Sequence, residues 1–408
     1  MPLKPFAALL GALALLGLAA APVGAAEFTD AAGRHLVLPD RIDRVMTAEH
    51  TADALMTVLA PQKLAGRSTA DGRAYLPARA GHLPVIGRLS GPAPTAGPDA
   101  IFRFHPDVVI DSGPISQPRI AFADRMQAQT GVPYILVDDS IARIPQMLRT
   151  IGKILGVADR GEDLAIFAQN AIAGVHGRLL IQPTDKRPRV YFGENPNGLL
   201  TPLPGSPDGE VIDEEGAINV ALTVGHGTDA LVTPGQLLGW DPEIIIAADP
   251  AFYHALLHDR VWRPLSAVRN KKVCLMPREP FGWIDEPPGV NRIVGLLWLS
   301  GVFYPGPTQE DVRTSVRDFY EKFYGAKLTD PQLEALVKPA CVPPSTDLQI
   351  ANLPLLGAPP APGEGSRAMP GEAAPTTPGA EPGGALGITP GVPPPGRRGP
   401  ANPGAQPR

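Results

Sequence analysis

Residues 98–114, PDAIFRFHPDVVIDSGP, and 234–250, PGQLLGWDPEIIIAADP, carry one pattern twice. Their prolines align at a constant offset: Pro98 with Pro234, Pro106 with Pro242, Pro114 with Pro250. Each copy reads as a short helix, a proline turn and a buried apolar strand, Val108-Val109-Ile110 in one and Ile244-Ile245-Ile246 in the other. A helical stretch and a further strand follow each, at Tyr134-Ile135-Leu136-Val137 and at Lys272-Val273-Cys274-Leu275. Continuous β-branched runs alternating with helices predict parallel sheets covered on both faces. The duplication therefore predicts two α/β lobes. Open α/β sheets present their binding loops where the strands end, so the crevice between the lobes is the expected site.

The flanks set the context. Lys4 is the one charge before an Ala, Leu and Gly run from Phe6 to Ala21, and Gly24-Ala25-Ala26 precedes Glu27. This reads as a secretory signal over residues 1–26, cleaved after Ala26. Pro22 and several glycines argue against a retained anchor, and no cysteine follows for lipidation. A net charge of −5 on 408 residues gives no footprint for nucleic acid. Cys274 and Cys341 are the two cysteines. They either pair in an oxidising compartment, closing a long loop, or leave Cys274 as a small buried strand residue. From about Asn352 onward Pro, Gly and Ala dominate. Such a segment buries too little apolar surface to offset its ordering entropy, so 346–408 is expected to be a disordered tail.

Between the copies, Leu164, Phe167, Ala168, Ala171, Ile172 and Val175 recur at helical spacing. One helix over 161–183 would span about 30 Å. It separates an N-terminal lobe, 27–160, from a C-terminal lobe, 184–345, and predicts a rather rigid molecule with small opening motions.

Taken in order, the signal, RIDRVMTAEHTADALMTVLAPQKLAGRS (41–68), HPDVVIDSG (105–113), the bridge, GSPDGEVIDEEGAINVA (205–221) and DPEIIIAAD (241–249) resemble one family. It is that of the ABC-transporter periplasmic substrate-binding proteins for ferric siderophores, haem and corrinoids, some of which take oxyanions such as molybdate. The resemblance covers roughly residues 40–307. It implies a class III periplasmic binding protein fold, two Rossmann-like α/β lobes joined by a single long helix, and a periplasmic monomer. Its implied partners are a small metal complex and an inner-membrane permease dimer with its ATPase. In the family an acid on each lobe is offered to permease arginines. By position these are Asp53, where the family commonly has Glu, and Glu210.

For the ligand, loops leaving the strand ends nominate Arg67, Tyr75 and Arg88 in the first lobe. In the second lobe they nominate Tyr191, Asn195, Tyr253, Trp283 and Arg292. Aromatics mixed with arginines suit a bulky anionic chelate, whose faces the rings cover and whose oxygens the guanidiniums pair. Arg292 stands where GVNRIVGLLWL turns helical, and a helix N-terminus is a ready anion site. Trp298, at helical spacing with Ile293, Val294 and Leu297, belongs to core packing.

Other chemistries find little support. His254 and His258 are four apart, but there is no HExxH, cysteine cluster or His-rich loop, so no protein-bound metal or cofactor is expected. Nucleophile elbows, phosphate loops and GxGxxG fingerprints are absent. Asp138-Asp139 and Asp285-Glu286 are neighbours, not a separated acid/base pair. The expectation is a non-enzymatic carrier of an iron complex, a ferric siderophore or related chelate. The alternatives are a molybdate or tungstate carrier, with a tighter pocket of hydrogen-bond donors, and a periplasmic metal-chelatase-like enzyme.

Overall fold

The computed structural model of the chain describes residues 26–70, 74–304, 309–338 and 341. Residues 1–25 of the expected signal and the whole 346–408 tail lie outside them. In the first lobe an antiparallel pair, β1 (Ala26–Thr29) and β2 (His35–Leu38), leads to β3 (Val45–Thr47), α1 (His50–Leu59), α2 (Ala78–Gly81) and α3 (Pro98–Phe104). Then come β4 (Val108–Ser112), α4 (Gln117–Thr130), β5 (Tyr134–Val137) and α5 (Ile144–Ile154). Strands β3, β4 and β5 pair in parallel, with β4 central. The long α6 (Ala158–Ile181) follows.

The second lobe holds β6 (Arg189–Gly193), β7 (Leu200–Pro202), α7 (Glu210–Glu214), β8 (Ile218–Asn219), β9 (Asp229–Leu231), α8 (Pro234–Trp240) and β10 (Ile244–Ala247). It continues with α9 (Pro250–His258), α10 (Ser266–Arg269), β11 (Val273–Leu275), α11 (Arg292–Phe303), α12 (Gln309–Phe319) and α13 (Asp330–Val337). Its parallel sheet runs β11-β10-β6-β8, and β7 pairs antiparallel with β9 beside it. Two sheets, each parallel, bear out the expected two-lobed α/β architecture.

The repeated motif folds alike in both places. α3 and α8 each begin at proline, whose missing N–H would be an orphan there anyway. Each ends on a left-handed residue, His105 at φ 44° and Asp241 at φ 43°, and the chain then turns through proline into the sheet. Every residue of β4 and of β10 is buried. Successive strand residues face opposite ways. Val108, Ile110, Ile244 and Ile246 therefore join one large core, while Val109 and Ile245 enter separate cores on the far face of their own sheets.

The bridging helix begins at Ala158, earlier than the sequence suggests. Gly161 is not its start but its crossing point with α5. A Cβ on Gly161 would stand 2.6 Å from the Leu148 carbonyl oxygen, so only glycine permits this approach. Leu164, Ala165, Ala168, Ala171 and Val175 are buried, and Phe167 packs on Phe319 and Phe323. The helix is thus no isolated strut. A single apolar core runs from Leu55 and Ile151 through Leu164 and Ala168 to Phe192 and Trp298.

Cys274 of β11 is disulfide-bonded to Cys341 across a separation of 67 residues, resolving the two readings left open by the sequence. Closing a loop of that length removes denatured-state entropy equivalent to about 4 kcal/mol on the chain-entropy model. Cys341→Ser should lower the urea midpoint of the oxidised protein, and dithiothreitol should lower that of the wild type to match while leaving the variant unmoved.

Candidate ligand cleft between the lobes

A cleft of about 670 Å³ separates the lobes. The first lobe lines it with His50, Ser68, Thr69, Arg88 and Thr95, the second with Arg278 to Phe281 and with Glu286 and Pro287. The lining is mostly hydrogen-bonding groups, with the His50 imidazole and the Phe281 ring as its aromatic members among the described residues. Each wall is braced from behind. His50 opens α1 directly after β3. The Arg88 loop is closed on itself: the Arg88 N–H donates to Thr95 Oγ1 at 2.9 Å, and the Arg88 carbonyl accepts from the N–H groups of Thr95 and Ala96. Arg278 lies just beyond β11 and forms an ion pair with Glu286 in which both side chains are more than two-fifths exposed. A pair so wet is worth about 0–1 kcal/mol, so an anion can displace the carboxylate from the guanidinium.

Behind the cleft lies a chain of buried charge. Arg119 ion-pairs with Glu49 and Asp111 and donates to the Ser112 carbonyl. Asp111 also accepts from Tyr134 Oη at 3.0 Å and Ser90 Oγ at 3.1 Å, and Ser112 Oγ donates to Asp139. Asp139 stands 3.5 Å from Arg292, which enters from the second lobe with 1% of its side chain exposed. Arg292 donates to the Asp139 carbonyl, to the Pro207 carbonyl and to Glu210, and Glu210 in turn accepts from the Ile141 N–H at 2.9 Å. Residues 139–141 belong to one lobe and 207, 210 and 292 to the other, so this cluster clamps the seam. Burial pushes the carboxyl groups of Glu49, Asp139 and Glu210 upward; Arg119 opposes it at Glu49, which reaches about 7, and Arg292 opposes it at the other two.

These positions correct several expectations. Of the nominated ligand residues, Arg88 alone lines the cleft. Arg67 is 2% exposed and acts on buried Asp53 through its charge. Tyr75 packs edge-on against Tyr320. Tyr191 is wholly buried, donating to the Gly198 carbonyl at 2.6 Å. Asn195 shapes a turn, accepting from the N–H groups of Leu199 and Leu200. Tyr253 packs half-buried against the outer core of its lobe. Trp283, expected to be exposed, is 0% exposed, its Nε1 donating to Tyr320 Oη at 3.2 Å and its ring edge-on to Trp298. Arg292 serves protein acceptors rather than a ligand.

The two expected docking acids are placed differently: Asp53 is closed in, and Glu210, held across the seam, keeps 23% of its side chain exposed. Asp53 is 0% exposed and accepts from Thr47 Oγ1 and from the N–H and Oγ of Ser68, at 2.8 and 2.7 Å. It positions a residue of the cleft wall. Glu210 is taken up by Arg292 and Ile141. His254 and His258 stack at 4.2 Å on an exposed face, away from the cleft. Arg278 escaped the sequence reading, standing just before the 279–292 loop that carries the nominated Trp283 and Arg292; its place after β11 was the available signal.

Two outcomes follow. Arg292→Met strands Asp139 and Glu210 at the seam, and stability should fall by about 3–5 kcal/mol in urea unfolding. Glu49 keeps its proton in the fold up to pH about 7 but releases it near the ordinary glutamate value of 4.5 when unfolded. Its contribution is therefore complete below 4.5 and lost as pH rises to about 7, at about 1.4 kcal/mol per pH unit across that window. Glu49→Gln should flatten the decline of Tm over that range.

A family of known proteins shares this architecture. The model of the family described as "Periplasmic binding protein" matches residues 47–280. An ABC transporter solute binding protein from Sulfurospirillum deleyianum superposes with a TM-score of 0.70 at 27% identity, covering 76% of this chain and 99% of that one. The Haemophilus influenzae protein MolA, in a structure bound to molybdate, superposes at 0.62 and 22% identity over 74% of this chain and 99% of its own, a likeness of fold. In sequence, the Haemophilus influenzae molybdate-binding protein MolA is 31% identical over 186 residues, 44% of this chain; the chain spans about half, 51%, of that relative's length. With its duplicated sheets, bridging helix and interlobe cleft, the chain belongs to the periplasmic binding protein family.

Proposed function

We propose that the protein is the solute-binding component of an ABC importer, exported to the periplasm, and that it carries an oxygen-rich metal-containing anion to an inner-membrane permease. The observation behind this reading is the cleft itself: Arg88 from one lobe and Arg278 from the other face a space rich in hydroxyl donors. Opposed guanidiniums pair with carboxylate, hydroxamate or oxometalate oxygens, each charge-assisted hydrogen bond contributing about 1.5–3 kcal/mol. Capture needs no covalent step. Thr69 and Thr95 orient the cargo by hydrogen bonds and Phe281 covers an apolar edge, while Ser68 gives its O–H to Asp53.

Volume and lining point to different cargo. A cleft of about 670 Å³ matches the roughly 300–1,000 Å³ of sites for organic ligands, which favours a ferric siderophore or related chelate. The predominance of donors over rings favours a molybdate or tungstate carrier, as does the 31% identity to MolA. Isothermal titration with a ferric hydroxamate chelate and, separately, with molybdate decides between them. One should bind one-to-one, and Arg88→Ala or Arg278→Ala should weaken it by roughly 10–100-fold at unchanged Tm. Binding of neither, or catalytic turnover of the chelate, would overturn the carrier reading.

A further inference from the structure

A second feature lies within the C-terminal lobe, apart from the cleft's arginines. Glu194 follows the carboxyl end of β6, Asp208 sits in the turn before α7, and Asp229 begins β9, opposite Pro202 of β7. One carboxylate oxygen from each lies within 4.8 Å of the other two. Three acids brought together from three segments repel one another unless protons or a cation hold them together. Glu194 is 9% exposed, and its Oε1 has no protein hydrogen-bond partner; neither does the buried Oδ1 of Asp208. Arg292 is the cation whose field reaches Asp208. A buried carboxylate oxygen without a donor is costly, and native structures keep few of them without a purpose.

We propose that Glu194, Asp208 and Asp229 form a binding site for a hard divalent cation, calcium foremost. All three ligands are carboxylate oxygens, the donor type that calcium and magnesium take. The spacing, within 4.8 Å, admits either ion; calcium's flexible geometry suits ligands drawn from three separate segments, whereas magnesium demands a near-ideal octahedron. Asp229 is exposed and gives the ion a path in, while Glu194 forms the buried floor. Asp285 stands beside them, its carboxyl pushed well above the usual range by burial and then by Asp208, and it shares a hydrogen bond with Asp208. The cation ties the loop after β6, the 203–209 turn and β9 into one unit. This goes beyond the carrier function and does not depend on which cargo the cleft takes.

The full-length protein, stripped with EDTA and free of cargo, is titrated with calcium, magnesium and manganese chlorides under differential scanning calorimetry and equilibrium dialysis. Calcium should bind one-to-one with a dissociation constant on the order of 10⁻⁴ M and raise Tm by several degrees, more than magnesium does. Glu194→Gln should raise Tm in EDTA, by removing repulsion, and lose the calcium response. Asp229→Asn, at an exposed position, should weaken binding by roughly 10–100-fold with the EDTA Tm little changed. A wild-type Tm indifferent to calcium overturns the proposal, even if Glu194→Gln is stabilising, because the acids would then merely share protons. A calcium response that persists in both variants overturns it too.

Discussion

The buried guanidinium of Arg292 is the interaction on which the arrangement of the two lobes rests. A charge 1% exposed is tolerable only if it is surrounded by acceptors, and here they come from both halves of the molecule. Asp139 and its carbonyl belong to the first lobe; Pro207 and Glu210 belong to the second. Separating the lobes at this point would return one charge to water and leave others without partners inside the protein. The seam is therefore fixed at its base, and the cleft above it inherits a set width. Arg119, one step further into the first lobe, extends the same alternation of charge through Glu49 and Asp111 to the side of the cleft where His50 stands.

Much of this was legible in the chain before any coordinates. The two proline-framed copies identified β4 and β10 because full burial leaves continuous Val and Ile runs, and because a proline turn after a short helix admits few conformations. The bridge was legible from its apolar stripe. What the stripe could not reveal is what its own Phe167 packs on, since Phe319 and Phe323 lie more than 150 residues later. The start of that helix was misread because Gly161 was taken for a boundary signal, when its lack of a side chain serves a helix crossing.

The candidate site was far less legible, and the misses share a cause. Trp283, Tyr191 and Arg292 are residue types that bind ligands when exposed and support cores or seams when buried, and a loop position does not say which. Trp283 sits in a Gly- and Pro-rich loop, yet α11 and Tyr320 close over it. Asp53 and Glu210 lie near helix starts, where acids are commonly solvated, but both meet donors supplied by distant segments. Arg88 was nominated on the same ground as the others, a loop at a strand's end, and the hydrogen bonds that close this loop on itself were not readable from the residues. Arg278 was missed because it stands just before the stretch judged informative.

The apolar core that passes through α6 has a final consequence. Although the chain carries its α/β pattern twice, neither half owns a complete interior: Ile110 and Ile246 point into the same continuous region, reached from opposite sides of one helix. A fragment holding only one sheet would expose the surface that its counterpart covers. The two sheets thus share an interior that neither could keep dry alone, which makes the repeated halves one cooperative folding unit rather than two.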